Sequence, residues 1–177
     1  MRELISAEQI RHGVAQLAAD INHYYRQRPL TLLGVMTGSL VLVADVIRQL
    51  EIPVRVGVIQ ARSYRGGATT PGELAVRDGY LPDVQGRHVL VMDDIYDTGR
   101  TLAGLYEYLR PLKPASLRSA VLLRKQGRQQ VPLEPDYVVF DIPDVFVVGY
   151  GLDYQDQYRH LAYVAALEPQ DFQQFQE

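Results

Sequence analysis

Along the first thirty positions apolar residues recur at the spacing of a helix, and then the pattern stops. Ile10, Val14, Leu17, Ala18, Ile21, Tyr24 and Tyr25 fall three or four residues apart behind Ser6 and Gln9, which match a capping box, so a helix is predicted from about Ala7 to Arg28. Pro29 ends it. LTLLGVM, residues 30–36, is a short continuous apolar run, the mark of a strand covered on both faces, and Thr37-Gly38-Ser39 breaks it. Leu40, Val41, Ala44, Ile47 and Leu50 form a second helical stripe, and VRVGVIQAR, residues 54–62, reads as a further strand behind Pro53. Together they predict a right-handed βαβ unit.

From Ser63 to Arg87 the periodicity fails. Glycines at 66, 67, 72, 79 and 86, prolines at 71 and 82 and threonines at 69 and 70 predict a long loop, of the kind that serves as a lid or binding loop. A buried strand resumes at His88–Met92, and Leu102, Leu105, Tyr106, Leu109 and Leu112 mark the apolar face of the next helix. SLRSAVLLR, residues 116–124, is another strand, followed by the polar segment KQGRQQ. YVVFDI (137–142), FVVGYGL (146–152) and LAYVAAL (161–167) are short and separated by turns, which predicts a small antiparallel addition. Alternating strands and helices predict an open, mostly parallel α/β sheet, whose ligands bind outside the carboxyl ends of the strands. The turns at 36–39 and 93–101 both sit at such ends.

Composition narrows the function classes. At 177 residues the chain fits one domain that buries roughly 70% of its unfolded surface. Its 47% apolar and 22% charged residues are those of an ordinary soluble globular protein. With 18 basic against 21 acidic side chains, no broadly basic face is evident, and nucleic acid is not an expected partner. The absence of cysteine excludes disulfides and thiolate metal sites. The amino-terminal MRELISAEQIRHG lacks the apolar core of a signal peptide, and no apolar run reaches the roughly 18 residues of a membrane span, so a cytoplasmic protein without membrane contact is expected.

The chemistry concentrates in HVLVMDDIYDTGRTL, residues 88–102, where an apolar strand ends in three carboxylates within five positions. Successive strand side chains point to opposite faces, so Asp93 and Asp94 cannot share one plane with Asp97 and could hold different groups of one ligand. Thr98-Gly99-Arg100-Thr101 then opens a helix, whose free N–H groups and dipole favour a phosphate. Gly99 allows close backbone approach, and the threonine hydroxyls add donors. Vicinal hydroxyls want paired acceptors and a 5′-phosphate wants the N–H cradle, so the turn suits ribose 5-phosphate. Simple helix capping by Thr98 or Thr101 would need one acceptor, not three.

VLVMDDIYDTGRTL resembles the phosphoribosyl pyrophosphate (PRPP) motif of type I phosphoribosyltransferases, and PDYVVFDIPDVFVVGYGLDYQDQYRHL resembles the base-binding region of hypoxanthine-guanine phosphoribosyltransferases. Arg62-Ser63-Tyr64 is similar to the start of that family's mobile catalytic loop, and the likeness runs in order over about residues 30–165. The resemblance implies a mostly parallel central sheet flanked by helices, in one domain of residues 1–177: a core at about 30–140, and a hood from the carboxyl-terminal part with some amino-terminal residues. It implies transfer of the phosphoribosyl group from PRPP to N9 of a 6-oxopurine, giving a nucleoside monophosphate and pyrophosphate.

By the same resemblance Asp97 is the general base near purine N7, and Asp93 and Asp94 bind the ribose hydroxyls within a pocket completed by Ile95, Tyr96, Thr98, Gly99, Arg100 and Thr101. Lys125 donates to purine O6, Phe146 stacks on the base, and Val147 contacts it through the backbone. Asp153 associates with magnesium (Mg2+) together with Asp93 and Asp94, and Arg159 meets pyrophosphate. Ser63 and Tyr64 belong to a lid over the site, with Arg62, Arg65 and Arg77. Homo-oligomers, dimer or tetramer, are typical of such relatives.

Two positions depart from the family pattern. Met36-Thr37-Gly38-Ser39 carries threonine where a basic residue commonly precedes the glycine, so pyrophosphate is expected to lean on Mg2+ and Arg159, with Thr37, Gly38 and Ser39 donating hydrogen bonds. The first acidic position, often Glu, is Asp93, one methylene shorter. A non-proline cis peptide at the 36–39 turn is a further implication of the resemblance. The competing classes are a PRPP- or nucleotide-sensing regulator, a dinucleotide enzyme and a metal-dependent phosphohydrolase. Asp97, Lys125 and FVVGYGLDY together speak against the first, the lack of G-x-G-x-x-G after the first strand against the second. The third has no use for Phe146 and Lys125.

Overall fold

A computed structural model describes residues 1–63 and 74–175. In chain order the elements are β1 (Arg2–Ile5), α1 (Ala7–Tyr25), β2 (Leu30–Met36), α2 (Leu40–Ile47), β3 (Val54–Ser63), β4 (Leu74–Tyr80), β5 (His88–Tyr96), α3 (Arg100–Leu109), β6 (Ser116–Lys125), β7 (Tyr137–Ile142), β8 (Val147–Val148) and β9 (Val164–Ala166). Single 3-10 segments follow α3 (Arg110–Leu112) and close the chain (Pro169–Phe175).

Six strands form the central sheet in the order β4-β3-β2-β5-β6-β7. All neighbours are parallel except β4, which runs antiparallel to β3 at the edge. The parallel strands alternate their apolar side chains between two helical layers, as burial on both faces requires. Leu32, Leu90, Met92 and Leu122 pack toward α1 and α2, whereas Leu33, Val89, Val91 and Val121 pack toward α3. Helix α1 begins at the capping box read from the sequence: the Gln9 N–H donates to Ser6 Oγ at 3.2 Å and the Ser6 N–H to Gln9 Oε1 at 2.8 Å. It stops at Tyr25, short of Arg28, because residues 26–28 turn out ahead of Pro29.

A second, three-stranded antiparallel sheet, β1-β9-β8, stands apart from the first. It draws together the first strand of the chain and the last two, around Val148, Ala165 and Leu167.

Three expectations need correction. Residues 63–87 are not one loop, since Leu74–Tyr80 form β4; an edge strand pairs on one side only and needs no continuous apolar run to declare itself. Tyr137–Ile142 is not part of the small antiparallel sheet but extends the central one, parallel to β6. The runs 146–152 and 161–167 shrink to Val147–Val148 and Val164–Ala166, because Gly149, Tyr150 and Gly151 take positive φ (95°, 51° and 100°) and turn the chain out of register. Strand β1, four residues of mixed polarity, carried no signal in the pattern. Residues 64–73 of the expected lid, Tyr64 and Arg65 among them, lie outside the described residues.

Candidate active site

The carboxyl ends of β2, β5 and β6 converge on one cleft, and each delivers a turn to it. From β2 comes the turn 37–39, entered through a cis Met36–Thr37 peptide, as the family resemblance implies. Ser39 is buried and its hydroxyl donates to the Val35 carbonyl at 2.7 Å, so this side chain is committed to the fold; the exposed Thr37 and half-buried Gly38 remain as the donors of the turn. Gly38 is required by contact. A Cβ there would lie 1.6 Å from Asp94 Oδ2.

Strand β5 runs on through Tyr96, four residues beyond its apolar stretch, and presents Asp93 and Asp94 at its end. The Asp94 N–H donates to Asp93 Oδ1 at 3.0 Å, and the Ile95 N–H donates to Asp94 Oδ1 at 2.8 Å. Each carboxylate thus accepts from the backbone N–H of the residue after it. Burial raises the Asp93 pKa well above the ordinary carboxylate value, and the charge of Asp94 adds to the rise. Asp94 is also raised by burial, against the opposing hydrogen bonds from Asp93 and Ile95 and the nearby charge of Arg159. A pair of like charges held this way is poised for hydroxyl donors or a cation. Ile95 is partly buried against the core; Tyr96 is buried, and its hydroxyl donates to the Leu133 carbonyl, which turns that side chain into the fold.

Helix α3 follows with Gly99 as its N-cap at φ 82° and without a side-chain capping hydrogen bond. The Arg100 N–H makes a long 3.5 Å hydrogen bond to Thr98 Oγ1, and the other first-turn N–H groups are left for an anion. Gly99 also admits its neighbours: a Cβ would sit 2.5 Å from Val131 Cγ2 and 2.6 Å from the Tyr96 hydroxyl. Arg100 and Thr101 are exposed at the helix start.

Asp97 occupies a different electrostatic setting. Arg128 Nε donates to its Oδ1 at 2.9 Å and Lys125 Nζ stands 4.0 Å from its Oδ2. Asp144 completes the group, 3.3 Å from Lys125 and 3.6 Å from Arg128. Sequence reasoning singled out Asp97 and Lys125 but missed Arg128 and Asp144; a basic residue three positions after Lys125 was the only available signal.

The small sheet closes the other side of the cleft. Gly151, at φ 100°, turns so tightly against the 36–39 turn that a Cβ would lie 2.1 Å from the Gly38 carbonyl oxygen. Arg159 donates to the Gly151 carbonyl at 2.7 Å and pairs with Asp153 at 2.8 Å and Asp156 at 3.3 Å. Phe146 is not a core residue: its ring is 45% exposed and meets the edges of Tyr154 and Phe172 at centroid distances of 5.5 and 5.9 Å. Val147 beside it is buried in β8.

The three carboxylates expected to share a metal are not gathered into one cluster among the described residues, because Asp153 is engaged by Arg159 and the Asp156 N–H. The donor set still fits magnesium, a hard cation that takes oxygen ligands and keeps waters and substrate oxygens rather than a full protein cage. The paired, proton-attracting Asp93 and Asp94 supply the negative potential for it.

Fold and site together define an α/β protein whose cleft lies at the carboxyl ends of a parallel sheet, where such folds bind their ligands. Residues 3–155 match the phosphoribosyl transferase domain, and the chain belongs to that family. It is 37% identical to the hypoxanthine phosphoribosyltransferase of Haemophilus influenzae over 91% of this chain and 92% of that one. It is also 37% identical to the hypoxanthine-guanine phosphoribosyltransferase of Mycobacterium avium over 97% of this chain and 87% of that one. Among solved structures, a hypoxanthine phosphoribosyltransferase of Trypanosoma cruzi in a ternary complex with substrates superposes with a TM-score of 0.90 at 38% identity, covering 97% of each chain. No helix among the described residues is long and apolar enough to cross a membrane.

The acidic pair generates a stability prediction. A carboxyl whose folded pKa is raised stabilises the fold at low pH, and that contribution is lost as pH rises above the ordinary carboxylate range. Asp93→Asn should therefore raise Tm at pH 7, by roughly 2–4 °C for each kcal/mol relieved, while lowering activity. The gain should vanish as pH falls to about 3; thermal unfolding of both proteins across pH 3–8 would check it, and an equal Tm at all pH values would show that the pair carries no such strain.

Proposed function

We propose that the protein is a purine-salvage enzyme that transfers the 5-phosphoribosyl group of PRPP to N9 of a 6-oxopurine, hypoxanthine or guanine, forming IMP or GMP and pyrophosphate. The observation that carries this reading is the juxtaposition of Asp97 Oδ2 and Lys125 Nζ, 4.0 Å apart. N7 and O6 of a 6-oxopurine lie side by side on one edge of the base, and a carboxylate beside an ammonium is the complement of that edge.

In the reaction N9 attacks C1′ of PRPP, the bond from C1′ to the pyrophosphate oxygen breaks, and the proton leaves N7 for Asp97. Lys125 donates to O6, Phe146 offers an exposed ring face for stacking, and Val147 contacts the base through its backbone. Asp93 and Asp94 receive the ribose hydroxyls and stabilise the cationic character that develops at C1′. The N–H groups of Gly99 and Thr101, and that of Arg100 once released from Thr98 Oγ1, take the 5′-phosphate together with the Thr98 and Thr101 hydroxyls. Thr37 and Gly38 donate to pyrophosphate, and Arg159 exchanges part of its Asp153 and Asp156 pairing for it. Magnesium, held by substrate oxygens and waters beside Asp93 and Asp94 or beside Asp153 rather than by all three at once, would neutralise the pyrophosphate charge. Ser63 and Tyr64 belong in this reading to the closing lid.

The chain is taken as one catalytic domain, with β1, β8, β9 and the turns between them as the hood over a core at about residues 30–140; the seat of Gly151 on Gly38 supports that arrangement. A cysteine-free chain suits a reducing compartment, and the reading includes a cytoplasmic setting and a homo-oligomer, dimer or tetramer. An intact Asp97–Lys125 pair gives the sensor alternative no support.

Asp97→Asn should lower kcat by about 10²- to 10⁴-fold with PRPP binding largely kept, since the amide cannot take the proton. Unchanged turnover would remove Asp97 from the base role. Phe146→Ala should raise KM for the purine more than KM for PRPP; at about 1–3 kcal/mol per stacked base, the purine effect is roughly 5- to 150-fold. Steady-state kinetics with each substrate varied in turn separates this from a packing role, which would move both constants alike.

A further inference from the structure

The polar segment after β6 carries no element and no motif, yet it is laced to the acidic turn at four successive positions. The chain leaves Lys125, turns at Gly127 (φ 73°) and passes alongside residues 96–99. The Tyr96 hydroxyl donates to the Leu133 carbonyl, Arg128 binds Asp97, the Gln130 N–H donates to the Thr98 carbonyl at 3.0 Å, and Val131 packs against Gly99. Gln129 Nε2 donates to the Lys125 carbonyl at 2.5 Å and ties the segment to its own start.

Within this brace the charges form a closed square. Arg128 and Lys125 alternate with Asp97 and Asp144, and each carboxylate gives one oxygen to each cation: Asp97 Oδ1 to Arg128 and Oδ2 toward Lys125, Asp144 Oδ1 to Lys125 and Oδ2 to Arg128. The arginine contact is the tightest, at 2.9 Å. A carboxylate at the exposed end of a strand otherwise turns freely about its side-chain bonds, and a base must present one lone pair in a fixed direction. With Oδ1 fixed by Arg128, Oδ2 is the oxygen left facing the Lys125 side.

We propose that Arg128 is a positioning residue that acts through Asp97, orienting Oδ2 toward N7 of the purine while Lys125 engages O6. The inference rests on the reading of Asp97 as the base. A surface ion pair without this role contributes little to stability and leaves the chemical step alone.

The test is a double-mutant cycle on the single-turnover rate of nucleotide formation from PRPP and hypoxanthine, using Arg128→Ala, Asp97→Asn and both together, with Arg128→Lys as the conservative variant. Arg128→Ala should slow the step by about 10- to 100-fold with KM for PRPP changed by less than about twofold, and Arg128→Lys should recover part of the loss. Once Asp97 is asparagine, removing Arg128 should change the rate by less than about twofold, because its route of action is gone. Equal losses from Arg128→Ala in both backgrounds, or no loss beside native Asp97, would overturn the role of Arg128 while leaving a damaging Asp97→Asn to support the base. No loss from Asp97→Asn would overturn the base assignment and the role of Arg128 with it.

Discussion

Two carboxylates held against each other at the end of a central strand set the terms for everything around them. Strand β5 is paired by β2 as far as Met92 and by β6 through Tyr96, so the two aspartates stand where the sheet continues on one side only. Their mutual repulsion in a partly dry cleft is a standing cost that the remainder of the fold absorbs. The turn that approaches Asp94 does so only because Gly38 has no Cβ, and the small sheet approaches that turn only because Gly151 has none. The 36–39 turn is thereby in close contact with Asp94 on one side and with the turn at Gly151 on the other.

A few residues along the chain the same side-chain type is treated in the opposite way. Asp97 has a guanidinium and an ammonium beside it, while Asp93 and Asp94 have each other and only the more distant charge of Arg159. The cleft is thus divided into a side with two adjoining carboxyls and a side where carboxylates and cations alternate. Between them lies the start of α3, whose N-cap Gly99 provides no side-chain cap. That division matches a reaction in which positive charge develops at the sugar carbon while a proton leaves the purine.

Much of this was legible beforehand, and what was not has physical causes. The continuous apolar runs of β2, β5 and β6 are a local consequence of burial on both faces, and the capping box of α1 is a contact between neighbours in sequence; both can be seen in a single chain. Strand β4 was hidden because an edge strand pairs once, and β1 because its partner β9 lies at the far end of the chain. Likewise the turn DDIYDTGRT announced the sugar-phosphate chemistry, but the pairing of Arg128 with Asp97 spans 31 positions and exists only once β5 and β6 are adjacent. Ser39 and Tyr96 were assigned to the ligand on position in the motif, and the structure turns both side chains inward.

The central claim is that this cleft joins a 6-oxopurine to PRPP, and it is tested most directly by nucleotide formation with Mg2+ and hypoxanthine, guanine, xanthine or adenine supplied separately, alongside a no-base control for pyrophosphate release. The account predicts turnover with hypoxanthine or guanine, none with adenine, whose amino group gives Lys125 no acceptor, and pyrophosphate release that requires the base. Tight PRPP binding without turnover on any 6-oxopurine, or pyrophosphate release indifferent to the base, would contradict it.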